Sequence, residues 1–191
     1  MTGVQTCALP IYLDPGDGVA WPAIREGALL VRALLTELGL PSWLKTSGGK
    51  GLHVVVPIGP LAPIKSRQGI DNVKAFSKAV VQHLAKTIPA RFVVKSGPLN
   101  RQGRIFVDYL RNGEGATTVA AFSARARPGL GVSMPVAWEA LGEIQSAAEW
   151  TVATARDHLS LRGPDPWADM AGAAPPLAPA MKALGFKPAG A

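Results

Sequence analysis

The sequence has few of the features that define several protein classes. It contains a single cysteine, Cys7, which excludes a disulfide framework and a thiolate zinc site. No apolar run approaches the roughly 20 residues that a membrane-spanning helix needs, so no membrane partner is expected. Acidic residues are scarce as well, with 13 Asp and Glu against 20 Lys and Arg. These absences predict a cytoplasmic protein.

The excess of basic residues gives the chain a formal net charge of +7. Such a charge favours a polyanionic partner, nucleic acid above all, because Lys and Arg side chains that neutralise phosphates release counterions. Charge alone is equally compatible with a soluble basic protein that has no such partner. The apolar content of 48% is enough for one domain with a sizeable core.

Helical periodicity is present in two long segments. From Trp21 to Leu38 the apolar residues recur every three or four positions, which predicts a helix that ends at Gly39. A second stripe predicts a helix over 70–88 with Asp71 as its N-cap. A shorter helix is expected over 151–161. Residues 172–191 form an Ala- and Pro-rich C-terminal segment, whose first part, 172–179, is predicted to be a loose tail.

Short valine- and phenylalanine-containing runs predict strands over 52–56, 91–94, 104–110 and 116–122. These strands and the helices are mixed without a regular βαβ repeat. The pattern therefore favours an α+β fold, with a largely antiparallel mixed sheet flanked by helices.

Two aspartates lie where strands would hold them rigidly. Asp14 ends a short apolar run before a Pro-Gly-Asp-Gly turn, and Asp108 lies inside the run 105–110. An unpaired charge in such a run is costly to bury, so Asp108 needs either a cation or an arginine partner. Carboxylates bind hard divalent cations, and those cations bridge phosphates. The pair therefore indicates metal-dependent chemistry on a nucleotide.

A glycine-rich loop, Ser47-Gly48-Gly49-Lys50-Gly51, lies between the two aspartates and precedes His53. It lacks the spacing of a P-loop. Its glycines nevertheless permit its backbone amides to approach an anion, and Lys50 adds a point charge. The alternatives are an ordinary turn and a histidine satisfied within the core.

Arg125 and Arg127 are two residues apart, so an extended segment would place both on one face. Such a pair suits forked contacts to phosphate. A solvated edge strand protected by arginines is an equally good interpretation of this spacing.

In combination, these motifs resemble the polymerase domain of bacterial DNA ligase D, in the archaeo-eukaryotic primase superfamily. The resemblance runs from Tyr12 almost to the C-terminus. It is carried by residues 13–21, 45–54, 104–112, 125–129, 150–151 and 165–169.

The resemblance implies a primase-polymerase catalytic core: a template-dependent nucleotidyltransferase that fills gaps and extends ends in bacterial non-homologous end joining. It implies two divalent ions, Mn²⁺ or Mg²⁺, held by Asp14 and Asp108, which are also the catalytic residues. Ser47, Lys50, His53 and Arg125 match positions that bind the incoming nucleoside triphosphate, and Arg101 matches a basic position near the template strand. The implied partners are DNA ends or gapped DNA, an end-binding protein and a ligase.

Position 12 departs from the family pattern, which has an Asp-x-Asp pair where this chain has Tyr12 and Asp14. Residues 1–11 resemble the translation of a common sequencing adapter whose final T would supply the first base of codon 12. Because Tyr and Asp codons differ in that base, a native aspartate would then be written as tyrosine. We therefore expect a non-native leader over 1–11, a truncated catalytic domain over 12–171 and impaired activity in the chain as written. The family's N-terminal region, with its 5′-phosphate pocket and template-stacking aromatics, is expected to be missing.

Two other functions agree with parts of the pattern. A stand-alone primase of the same superfamily would start chains without a pre-existing 3′ end. A non-catalytic nucleic-acid-binding module would keep the basic surface but would not depend on Asp108.

Overall fold

The computed structural model describes residues 8–58 and 67–189. Its centre is a six-stranded sheet of order β4-β5-β1-β3-β2-β6, in which only β4 and β5 are parallel neighbours. The strands are β1 (Ala8–Pro15), β2 (Trp43–Thr46), β3 (Leu52–Pro57), β4 (Phe92–Val93), β5 (Ile105–Asp108) and β6 (Pro135–Val136). The predicted α+β fold with a largely antiparallel mixed sheet is confirmed.

Four α-helices accompany the sheet in the described ranges: α1 (Trp21–Glu37), α2 (Arg67–Thr87), α3 (Ala155–Leu161) and α4 (Ala178–Ala183). The buried side of α1 carries the predicted stripe, including Ile24, Ala28 and Leu35. The prediction that Asp71 caps α2 is wrong, because α2 begins at Arg67 and Asp71 lies within it. Within the same ranges, no helix is long and apolar enough to cross a membrane.

The predicted strand over 116–122 is also wrong. This segment is irregular and half-buried to exposed, and Thr117, Thr118 and Val119 run along the edge of a pocket. The carbonyl of Val119 accepts a hydrogen bond from the Lys45 side chain instead of a strand N–H. The Val119 carbonyl is thus bound by the side chain of a lysine 74 positions away and not by the backbone of a neighbouring strand.

The C-terminal segment packs against the core from Leu177 onward, which corrects the end of the predicted loose tail, whereas residues 173–176 are irregular and half-buried to exposed. Leu177, Ala180 and Met181 are buried, and the Phe186 ring meets Phe76 edge to face at 5.7 Å between centroids. These apolar residues recur at helical spacing, a signal that the high Ala and Pro content obscured.

The sheet register places one polar row across four neighbouring strands. Lys45 pairs with His53, His53 with Tyr12, and Tyr12 with Asp108. We call these four residues the sheet row. Gly27 of α1 lies against the side chains of Leu13 and Ile105 on one face of the sheet. Because side chains alternate along a strand, the sheet row lies on the opposite face.

Candidate active site

A pocket of about 660 Å³ opens on the face of the sheet that carries the sheet row. Its floor consists of three residues of the row, His53, Tyr12 and Asp108, together with Asp14, which lies two positions after Tyr12 on β1. All seven predicted site residues line this pocket: Asp14, Ser47, Lys50, His53, Arg101, Asp108 and Arg125. The fold thus brings together side chains up to 111 positions apart in the sequence.

Asp108 is buried on β5 and has the arginine partner that the sequence offered as one alternative. Its Oδ2 lies 3.5 Å from Nε of Arg111, and its Oδ1 accepts a hydrogen bond of 2.7 Å from the Leu110 N–H. Burial raises the pKa of the Asp108 carboxyl, while the Leu110 N–H and the Arg111 charge oppose that rise. The Leu110 N–H and the Arg111 guanidinium therefore offset only part of the cost of burying this carboxylate.

Asp14 lies at the end of β1, where its side chain is 45% exposed. Its Oδ2 forms an ion pair with Nη1 of Arg101, which is the last residue of a 3-10 turn over Pro98–Arg101. The resemblance implied that Arg101 lies near a template strand, and here the guanidinium contacts a predicted metal ligand. Each of the two carboxylates thus has its own arginine.

Tyr12 lies between His53 and Asp108 in the sheet row and is only 6% exposed. Its ring meets the His53 ring edge to face at 4.0 Å between centroids. Its hydroxyl is buried without a hydrogen-bond partner of acceptable geometry, although Thr118 lies near enough to influence it. Burial raises the pKa of Tyr12 to about 12, so the phenol is neutral at physiological pH.

Lys45 is a site residue that the sequence reasoning missed. It is 4% exposed, and its Nζ contacts His53 Nδ1 at 2.8 Å, Val119 O at 2.9 Å and Ser133 Oγ at 2.7 Å. Burial, with a smaller effect from Arg125, lowers the pKa of Lys45 to about 7. A signal was present, because β2 and β3 form a hairpin around the glycine loop and this places Lys45 opposite His53.

His53 is neutral in this environment. Burial lowers its pKa well below the usual value, and the nearby charges of Lys45, Arg125 and Arg111 act in the same direction. A neutral imidazole carries one N–H, so only one of its ring nitrogens can donate.

The glycine loop is shaped mainly by contacts within the protein. Ser47 is buried, and its Oγ accepts hydrogen bonds from the N–H groups of Gly49 at 3.1 Å and Gly51 at 3.2 Å. These two amides are therefore engaged, which corrects the expectation that the loop amides are available to an anion. A Cβ at Gly51 would lie 1.9 Å from the Leu13 carbonyl oxygen, so glycine is required there by the fold.

Arg125 and Arg127 both reach the pocket, but from a bend and not from an extended strand. The Arg127 N–H donates to the Arg125 carbonyl at 2.8 Å, which turns the chain between them. Burial lowers the pKa of Arg125, and the like charge of Arg127 contributes next. We call Lys50, Arg101, Arg125 and Arg127 the basic rim.

The side chains at the pocket floor do not fit a site for two divalent ions. Asp14 and Asp108 are the carboxylates there, each paired with an arginine, and Tyr12 between His53 and Asp108 is a neutral phenol. Within 8–58 and 67–189, no cluster of three or more His, Cys, Asp or Glu side chains could hold a metal ion. An aspartate at position 12 would add the missing carboxylate at the centre of the floor.

A family model described as the LigD primase-polymerase domain matches residues 5–167. The chain belongs to this family. LigD primase-polymerase domains are metal-dependent nucleotidyltransferases, and LigD proteins function in non-homologous end joining. The predicted resemblance is thereby confirmed.

Two curated LigD relatives illustrate the similarity. The multifunctional non-homologous end joining protein LigD of Pseudomonas aeruginosa is 49% identical over 171 residues, which cover 89% of this chain and 20% of that protein. The LigD protein of Mycolicibacterium smegmatis is 35% identical over 131 residues, or 69% of this chain and 16% of that protein. The chain thus spans about a fifth or less of the length of these relatives.

A solved structure supports the same assignment. The polymerase domain from Mycobacterium tuberculosis ligase D in complex with DNA matches with a TM-score of 0.68 and 33% identity. The match covers 88% of this chain and 56% of that one. The LigD polymerase fold therefore extends over most of the present chain.

Proposed function

We propose that this chain contains the catalytic core of a template-dependent polymerase that fills gaps and extends DNA ends in bacterial non-homologous end joining. Its substrates would be nucleoside triphosphates and gapped or broken DNA, and its partners a ligase and an end-binding protein. One observation carries the proposal: a floor with two carboxylates and a rim of four cations share one pocket.

The basic rim gives the pocket its affinity for phosphate. Lys50 and Arg125 lie on different loops but line the same cavity, so they can neutralise different parts of a triphosphate. His53 on the floor adds a neutral donor, which does not repel the cations beside it. Asp14 and Asp108 would instead hold cations near a reacting phosphate, because carboxylates bind divalent cations.

Position 12 limits this function in the chain as written. The two ions, Mn²⁺ or Mg²⁺, that the family resemblance implies would need a third carboxylate on the floor, where Tyr12 now supplies a buried neutral ring. We propose that the native residue at position 12 is aspartate. Genomic sequence upstream of codon 13 tests this directly, since any codon other than Asp at position 12 would contradict it.

Primer extension on gapped DNA tests the polymerase function. The assay would compare the chain with Tyr12 kept and the chain carrying Tyr12→Asp. We expect Mn²⁺-dependent extension to appear or to increase greatly with Tyr12→Asp. Equal extension with Tyr12 kept would show that position 12 does not hold metal.

The matched control is Asp108→Ala in the Tyr12→Asp background. This variant should remain folded by circular dichroism and should lose extension, because its floor again has only two carboxylates. Extension that survives Asp108→Ala would place the chemistry elsewhere.

A non-catalytic nucleic-acid-binding module is the second candidate for the chain as written. The ion pairs of Asp14 and Asp108 and the buried Tyr12 favour it, because they leave a complete basic rim above an incomplete metal site. This candidate predicts DNA binding without extension, with affinity that does not fall in Asp108→Ala.

A further inference from the structure

Lys45 lies behind the pocket and contacts two of its lining residues, the His53 ring and the Val119 carbonyl. The three contacts of its Nζ match the three hydrogens of an ammonium group. The side chain does not line the pocket, so it has no direct path to a nucleotide. Its burial at 4% exposure therefore calls for a role other than phosphate binding.

The partners of Lys45 fix the direction of each hydrogen bond. Val119 offers a carbonyl oxygen, which can only accept. Ser133 donates its hydroxyl proton to the Thr46 carbonyl at 2.8 Å, so its Oγ accepts from Lys45. While Lys45 is an ammonium group, below its pKa of about 7, its third hydrogen points to His53 Nδ1, which must then be unprotonated to accept it.

The other ring nitrogen of His53 consequently carries the proton. Among the described residues Nε2 has no hydrogen-bond partner, nor is it among the side-chain atoms that are buried without one. Because His53 lines the pocket, this N–H is available to a group bound there. An oxygen of a triphosphate is an acceptor of the required kind.

We propose that Lys45 is a positioning residue that holds His53 in the tautomer with its proton on Nε2, so that His53 donates to a triphosphate oxygen. The donation to triphosphate rests on the proposed function, whereas the choice of tautomer does not. A bound triphosphate would strengthen the arrangement, because its negative charge favours the ammonium form of Lys45.

Nitrogen NMR of the ring tests the tautomer directly, since protonated and unprotonated imidazole nitrogens differ in ¹⁵N chemical shift. The chain has three histidines, so His83→Gln and His158→Gln assign the His53 signals. Near pH 6.5 we expect the Nε2–H tautomer in the unaltered chain and a mixture of tautomers in Lys45→Met. An Nδ1–H tautomer in the unaltered chain, or an unchanged Nε2–H population in Lys45→Met, would overturn the proposal.

Ser133→Ala is the matched control. It removes one partner of Lys45 without touching His53, so a general disturbance of the site would appear in both variants. We expect the His53 tautomer to stay unchanged in Ser133→Ala. A mixture of tautomers in this control would attribute the effect to lost packing and would count against Lys45.

ATP binding, measured by calorimetry, tests the proposed donation from His53 to a triphosphate oxygen through a double-mutant cycle. Lys45→Met should weaken ATP binding about tenfold when His53 is present and less than about twofold in His53→Ala, because Lys45 acts through His53. Equal losses in both backgrounds would overturn the positioning role. If the unaltered chain binds no ATP, the proposed nucleotide site fails, while the NMR result still decides the tautomer.

Discussion

The sheet row consists of four buried side chains on regular strands, whereas the basic rim consists of half-buried or exposed cations on loops and turns. In the sheet row burial is the largest cause of every pKa shift, and each shift favours the neutral form. In the sheet row, the position and the partners of each side chain therefore determine its protonation state. In the basic rim, the number of cations determines the attraction for phosphate, because solvent weakens each single interaction.

Alanine substitutions at Gly51 and Gly49 should show the largest difference between the two regions, because Gly51 lies against the sheet at Leu13 and Gly49 lies against Arg125 of the basic rim. Gly51→Ala should lower the free energy of unfolding by about 3 kcal/mol or more, because its Cβ would lie 1.9 Å from the Leu13 carbonyl oxygen of β1. Gly49→Ala should cost less than about 1 kcal/mol, because its Cβ would be crowded only by the far end of the long Arg125 side chain, at 2.9 Å, with Ser47 Oγ at an ordinary 3.5 Å. Urea denaturation of both variants checks this. Equal losses would mean that the loop is not anchored to the sheet in this way.

Lys45 predicts a pH dependence of stability that belongs to the sheet row alone. Its folded pKa of about 7 lies below the usual 10.5, so the burial penalty is complete below pH 7 and disappears as pH rises toward 10.5. The free energy of unfolding should rise between pH 7 and 9 by at most about 1.4 kcal/mol per pH unit. Denaturation of Lys45→Met should show a flatter profile over this range, and an identical slope would contradict the shift.

Removing single cations from the basic rim should weaken ATP binding step by step. Lys50→Ala and Arg125→Ala should each weaken ATP binding roughly tenfold to a hundredfold, since hydrogen bonds to charged groups contribute about 1.5–3 kcal/mol. Lys86→Ala and Arg156→Ala, on exposed helix surfaces, are the matched controls. Unchanged ATP affinity in both rim variants would remove them from the nucleotide site.

Tyr12→Phe should make the smallest change and should stabilise the chain. The Tyr12 hydroxyl is buried without a partner, and such a group costs about 1 kcal/mol or more. We therefore expect a gain of about 1 kcal/mol in the free energy of unfolding, measured by thermal and urea denaturation. A loss of stability would show that the hydroxyl has a partner, with Thr118 the nearest candidate.

Apolar periodicity, a local signal, predicted the fold class and α1, and the motifs with the family resemblance supplied seven site residues that are all among those lining the pocket. They did not predict the irregular path of 116–122, since a strand-like composition cannot reveal that Lys45 binds the Val119 carbonyl. An arginine partner for Asp108 was one of two alternatives that the sequence offered, whereas the Arg101 partner of Asp14 was not predicted. The Asp14–Arg101 pairing depends on where a distant turn folds back over the sheet, whereas Arg111 follows Asp108 by only three positions.

The functional roles assigned to the seven residues remain predictions. What the sheet adds is the register, which places position 12 between His53 and Asp108. The motif identified residue 12 as unusual, and the structure shows that its side chain occupies the middle of the pocket floor.

Mn²⁺ binding measured by calorimetry tests the central claim, that position 12 decides whether the floor holds metal. We expect no saturable binding by the chain with Tyr12, binding of two ions after Tyr12→Asp, and loss of that binding when Asp108→Asn is added. This result would follow from a third carboxylate at the centre of the floor. Equal Mn²⁺ binding by the Tyr12 and Tyr12→Asp chains would contradict the account.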